Sequence, residues 1–61
     1  MCQVCIIAEA DPFIAKLLLR FVEECGFHAM HTQIGKEIIH MARNARPDVI
    51  ILDPELPGTL R

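Results

Sequence analysis

The chain has 61 residues, 52% of them hydrophobic, and a formal net charge of −2. That length holds one small domain, which buries only about 60% of its unfolded surface, so the chain is rich in apolar surface and short of layers to cover it. There is no basic stripe for nucleic acid, no apolar run of membrane-spanning length, no signal-peptide pattern, and three cysteines are too few for a disulfide framework; a cytoplasmic protein is expected.

In chain order, Gln3 to Ala8 is a short apolar run that predicts a buried strand. Glu9-Ala10-Asp11-Pro12 ends it. Asp11 can cap a helix through its carboxylate, and Pro12 suits the first helical position. Phe13, Ile14, Leu17, Leu18, Phe21, Val22 and Cys25 then recur at helical spacing and predict a stripe facing the core. Lys16, Arg20, Glu23 and Glu24 take the other side. Gly26 closes the helix as the residue that can turn left-handed. Phe27 to Thr32 alternates imperfectly and carries two histidines, which predicts an edge strand. A second helix fits Ile34 to Asn44, with Ile34, Ile38, Met41, Ala42 and Ala45 on one side. Ile39 adds apolar surface nearby. Its start is poorly specified, because no capping side chain precedes it. Arg43 and Arg46 favour its C-terminal end.

The stretch from Arg46 to Gly58 organises the rest. Pro47 bars a helix from entering the apolar run Val49-Ile50-Ile51-Leu52, and Pro54 and Pro57 stop regular structure after it. Such a run predicts a strand buried on both faces, the habit of parallel sheets. Asp53 then falls at its C-terminal end, where open α/β sheets place their ligands. The order of elements is βαβαβ. If the strand order is 2-1-3, right-handed crossovers put the two helices on opposite faces, and strands one and three are neighbours. That arrangement would gather Glu9, Asp11, Asp53 and Glu55, half of the eight acidic residues, near one edge. Carboxylates there suit a hard divalent cation, while a plain capping role for Asp11 and solvated Glu9 and Glu55 is the simpler alternative.

Pro47-Asp48, the run Val49 to Leu52, Asp53 and Leu56-Pro57-Gly58 together resemble the third strand of a response-regulator receiver domain, the CheY-like phosphoacceptor of two-component signalling. Ile6-Ile7-Ala8-Glu9-Ala10-Asp11-Pro12 is similar to that family's first strand and acidic pocket. Leu17-Leu18, Cys25-Gly26-Phe27 and Gly35-Lys36-Glu37 resemble its first helix, the following turn and the start of its second helix. The resemblance implies a flavodoxin-like (CheY-like) parallel sheet over residues 1–61, a partial receiver that stops after the third strand. It implies that Asp53 accepts a phosphoryl group from a histidine kinase or phosphotransfer protein, in a signalling protein that is not itself an enzyme. It also implies Mg²⁺ near Glu9, Asp53 and the backbone carbonyl of Glu55. Ala10 stands where the family carries the acid that ligates the metal directly. The family's switch hydroxyl and phosphoryl-binding lysine have no counterpart at a matching position here; Lys16 and Lys36 fall elsewhere.

A strand left at the sheet edge over Val49 to Leu52 is a template for pairing. Self-association through it, or coverage by the remainder of a longer chain, is therefore expected. So is a second functional reading, a phosphorylation-independent interaction module with a degenerate acidic pocket. Cys2-x-x-Cys5 and His28-x-x-His31 invite a zinc reading, but their separation is far from the roughly twelve residues of common fingers. Residues three apart on a strand also point to opposite faces. Buried or surface cysteines and edge-strand histidines are the expectation instead, and His40 has no assigned role.

Overall fold

A computed structural model describes residues 3–56. Three parallel strands, β1 (Gln3–Ala8), β2 (Phe27–Thr32) and β3 (Val49–Leu52), lie in the order β2-β1-β3. Helix α1 (Pro12–Glu24) links the first two and α2 (Glu37–Ala45) the second pair. This is the flavodoxin-like beginning that the resemblance implies. β1 is central, with Cys5, Ile6, Ile7 and Ala8 all buried. Its register pairs Ile7 with His31 on one side and with Ile51 on the other.

Alternation along β1 sends Cys5 and Ile7 to one face. There they pack with Val22, Leu18 and Leu19 of α1 and with Phe27, Ala29 and Ile51. α1 sits mainly over β2 and β1, and α2 packs on β1. Right-handed crossovers put α2 on the opposite face, over Ile6 and Ala8. Burial pushes the Cys5 thiol above its ordinary range, which keeps it protonated at neutral pH. Cys25 is exposed.

Both ends of α1 form as the residue types require. The Asp11 carboxylate accepts from the Phe13 N–H at 2.8 Å and the Ile14 N–H at 3.4 Å. Gly26 has φ 95° after the C-cap Cys25. α2 begins at Glu37, three residues later than the periodicity suggests, and ends one later, at Ala45. Its N-cap Lys36 makes no side-chain cap bond. The first N–H groups of α2 bond backward instead, Glu37 to the Ile34 carbonyl and Ile38 to the Gly35 carbonyl at 3.1 Å each, while the buried Thr32 hydroxyl ties the turn before them. It donates to Glu37 Oε1 at 2.6 Å and accepts from the Ile34 N–H at 3.1 Å.

Two expectations about burial are corrected. Phe13, Leu17 and Phe21 are each more than half exposed, and Ile14 is exposed as well. The apolar arc of α1 is wider than the sheet beneath it, so Ala15, Leu18, Leu19 and Val22 take the contact. β3 is not buried on both faces: Val49, Ile50 and Leu52 are 41%, 43% and 49% exposed. Among the described residues only its β1 side is paired, and the helices lie over β1 and β2. Ile34 and Ile39 of the α2 region are also exposed.

The α2 C-cap, Arg46, adopts the left-handed region at φ 48° while its N–H donates to the Ala42 carbonyl at 2.9 Å. A side chain in that region costs about 1–2 kcal/mol, part of which glycine recovers before its own entropy loss. Arg46→Gly should therefore stabilise the chain by about 0.5 kcal/mol, read as a higher urea midpoint at constant m-value.

Candidate functional site

The register that pairs Ala8 with Leu52 makes Glu9 and Asp53 the next residues on adjacent parallel strands. The Asp53 N–H donates to the Ala8 carbonyl at 2.9 Å, so the backbone at the end of β3 is fastened to the end of β1. The Asp53 carboxylate is half-buried. Its Oδ1 accepts from the Glu55 N–H at 2.9 Å, and its carbonyl accepts from the Leu56 N–H at 3.1 Å. These bonds form an Asx turn, which aspartate favours because its short side chain reaches the backbone two residues on. Leu56 is buried and anchors the turn. Asp53 Oδ2 has no hydrogen bond among the described residues.

Glu9 is held from both sides of its peptide. Its N–H donates to the Thr32 carbonyl at 3.1 Å, and its carbonyl accepts from His31 Nε2 at 3.0 Å. A carbonyl can only accept, so His31 carries its proton on Nε2. The Glu9 carboxylate accepts from the Asp11 N–H at 3.2 Å. It thus leans along the loop toward the start of α1. Asp11 is committed to its cap, as the simpler reading of that residue has it. The Glu55 side chain is exposed. Pro57 and Gly58, part of the sequence pattern, lie outside the described residues, as does Cys2 of the cysteine pair.

Glu9, Asp53 and the Glu55 carbonyl are hard oxygen donors, the set Mg²⁺ selects while retaining several waters. They fit such an ion in chemistry and in sharing the β1–β3 end. Among the described residues no three acidic, histidine or cysteine side chains gather about one point, and Ala10 supplies no donor there. The set is two carboxylates and a carbonyl.

Two supporting residues escape a reading by motif. His31 sets the position of Glu9 across the β1–β2 pair, and only the parallel register reveals it. Asp48 clamps the start of β3: its Oδ2 accepts from the Val4 N–H at 2.8 Å while its own N–H donates to the Val4 carbonyl at 2.8 Å. Its place after Pro47 and before the apolar run was the available signal.

Comparison with known proteins points the same way. The chain is 35% identical over 52 residues to the polar-differentiation response regulator DivK of Brucella anthropi, covering 85% of this chain and 42% of that protein. It is 33% identical over 52 residues to DivK of Brucella ovis, again with 85% and 42% covered. To protein Rrf1 of Nitratidesulfovibrio vulgaris it is 33% identical over 52 residues, 85% of this chain and 38% of the relative. The chain thus spans about two fifths of the length of these curated relatives. No family model matches the chain, and no solved structure does. The β2-β1-β3 sheet and these relatives together make the chain a distant homologue of the response regulators, corresponding to part of their receiver domain.

Proposed function

We propose that residues 1–61 act as a receiver segment of a two-component phosphorelay in which Asp53 is the phosphoacceptor. The observation that carries this is the Asp53 carboxylate itself. It stands at the C-terminal end of β3 beside the end of β1, with Oδ1 anchored by the Glu55 N–H and Oδ2 unengaged among the described residues. An anchored carboxylate presents one oxygen in a fixed direction, which favours attack over free rotation. In the proposed transfer Oδ2 attacks the phosphorus of a phosphohistidine on a histidine kinase or phosphotransfer protein. The new O–P bond forms as the P–N bond breaks, and the imidazole departs.

Glu9, Asp53 and the Glu55 carbonyl would hold Mg²⁺ at this end of the sheet. When bound, that ion neutralises charge on the phosphoryl oxygens. His31 and Thr32 keep Glu9 in place from β2. The chain is then a substrate of phosphoryl transfer, in keeping with homology to response regulators, and turns nothing over itself. No helix among the described residues is long and apolar enough to cross a membrane; the proposed site of action is the cytoplasm.

A second reading, a phosphorylation-independent interaction module, is favoured by Ala10 in the acidic pocket and by the exposed β3. One experiment separates the two. A chain that carries this segment together with the remaining elements of a receiver is incubated with Mg²⁺ and a small acyl phosphate, and its intact mass is followed. The phosphoacceptor reading requires a gain of one phosphoryl group that depends on Mg²⁺ and is absent in Asp53→Asn. No gain in the folded wild-type chain favours the interaction module.

A further inference from the structure

We infer that His31 is a positioning residue for phosphoryl transfer, one that turns the Ala10 N–H toward β3 to donate to a phosphoryl oxygen on Asp53; this rests on the reading of Asp53 as phosphoacceptor. The geometry starts from the peptide between Glu9 and Ala10. Its carbonyl accepts from His31 Nε2 at 3.0 Å and is thereby held toward β2. The peptide is trans, and in a trans peptide the C=O and the following N–H point in opposite directions. Because β1 lies between β2 and β3, the Ala10 N–H is directed to the β3 side, where Asp53 stands.

Alternation along β1 agrees. Successive residues of a central strand send their polar groups to opposite neighbours. The Ala8 carbonyl accepts from the Asp53 N–H on the β3 side, and the Glu9 N–H donates to the Thr32 carbonyl on the β2 side. Ala10 comes next and faces β3 again. A ladder continued by one step would give its N–H the Asp53 carbonyl as acceptor. That carbonyl accepts from the Leu56 N–H at 3.1 Å instead, because the chain turns after Asp53 and the ladder ends. The Ala10 N–H therefore has no acceptor among the described residues, although Ala10 is half-buried.

An N–H in such a place calls for an acceptor. Asp53 Oδ1 is taken by the Glu55 N–H, and Oδ2 is unengaged among the described residues. Phosphorylation at Oδ2 adds three strong acceptor oxygens at the end of the strand that the Ala10 N–H faces. Hydrogen bonds from backbone N–H groups to charged oxygens are among the strong ones. A donor already aimed costs no reorganisation as charge builds on the transferring group. Ala10 brings no polar side chain, so what it offers the site is its backbone, and His31 sets the direction of that backbone from β2.

The test uses a chain that carries this segment together with the remaining elements of a receiver. Beryllofluoride, a mimic of an aspartyl phosphate, is added with Mg²⁺, and the Ala10 amide is followed by NMR. Phosphoryl uptake from a small acyl phosphate is timed in parallel. The Ala10 amide proton is expected to move downfield in the wild type and in His31→Gln, whose side-chain amide replaces the donor, and to stay in place in Asp53→Asn. His31→Leu should lose the shift and take up phosphoryl groups at least about tenfold more slowly. His28→Leu, at an exposed position of the same strand, should behave as the wild type. Should His31→Leu fail to fold, the wild type decides: a downfield shift of Ala10 with His31 in its Nε2–H form supports the inference, and an unmoved amide overturns it. Uptake at Asp53 with an unmoved Ala10 amide, or with His31→Leu as fast as the wild type, overturns the inference and leaves the phosphoacceptor reading standing. No uptake at Asp53 in the folded wild type overturns both.

Discussion

Ile7→Ala is expected to leave the chain largely unfolded at about 25 °C. Ile7 is fully buried at the centre of the middle strand, in contact with α1 through the Cys5–Val22 cluster. Truncating a buried isoleucine removes its transfer free energy and leaves a cavity, together costing about 2–5 kcal/mol. A domain this small sits at the low end of the usual stability range of roughly 5–15 kcal/mol, so that loss consumes much or all of the margin. Ile50→Ala provides the contrast. The same chemical change at a 43% exposed position should cost less than about 1 kcal/mol in the dissociated chain. Urea titrations followed by circular dichroism, at a concentration low enough to hold the chain dissociated, measure both. Equal losses at the two positions would contradict the placement of the core on β1.

Ala10→Asp is expected to strengthen Mg²⁺ binding at least about tenfold. The proposed site offers the Glu9 and Asp53 carboxylates and one carbonyl, with Ala10 half-buried in the same loop. A third carboxylate a few ångströms from a divalent cation adds several kcal/mol of attraction, even at an effective dielectric of about 20. Without the metal the same group crowds Glu9, Asp11 and Asp53, so the apo chain should lose stability. Mg²⁺ should then raise the thermal midpoint of Ala10→Asp more than that of the wild type. The sequence has no tryptophan or tyrosine, so calorimetry or amide chemical shifts are the suitable readouts. Equal affinity in both chains would mean that the β1–β3 end does not form the cation site.

Much of the fold was legible because local chemistry and pattern agree. Asp11, Pro12 and Gly26 mark the ends of α1 by capping, fixed φ and a left-handed turn, and the helix begins and ends there. Pro47 and Pro54 bracket β3 in the same way. The start of α2 was less legible. Its first N–H groups bond to the carbonyls of Ile34 and Gly35, and the Glu37 side chain is tied to Thr32, at the end of the preceding strand and five residues before it. Burial was least legible. A stripe such as Phe13, Leu17 and Phe21 says that a face is apolar, but not whether anything lies over it. The same holds for β3, since four apolar residues in a row give a strand without saying how many neighbours it has.

The site divides along the same line. Asp53 could be placed at a strand end from sequence alone, because the breakers around it fix its position. That it lies beside Glu9 depends on the β2-β1-β3 order, which the structure supplies. The hold of His31 on Glu9 depends on register across a parallel pair, a relation with no signature in linear spacing.

Whether Asp53 carries the phosphoryl group is decided by chemical mapping of the modified residue. The chain treated with Mg²⁺ and acyl phosphate is reduced with borohydride, which converts an aspartyl phosphate to homoserine, and its peptides are sequenced by mass spectrometry. Homoserine is expected in place of Asp53 and nowhere else. A label at Glu9, Asp11, Glu55 or a histidine would contradict the assignment of Asp53 as phosphoacceptor.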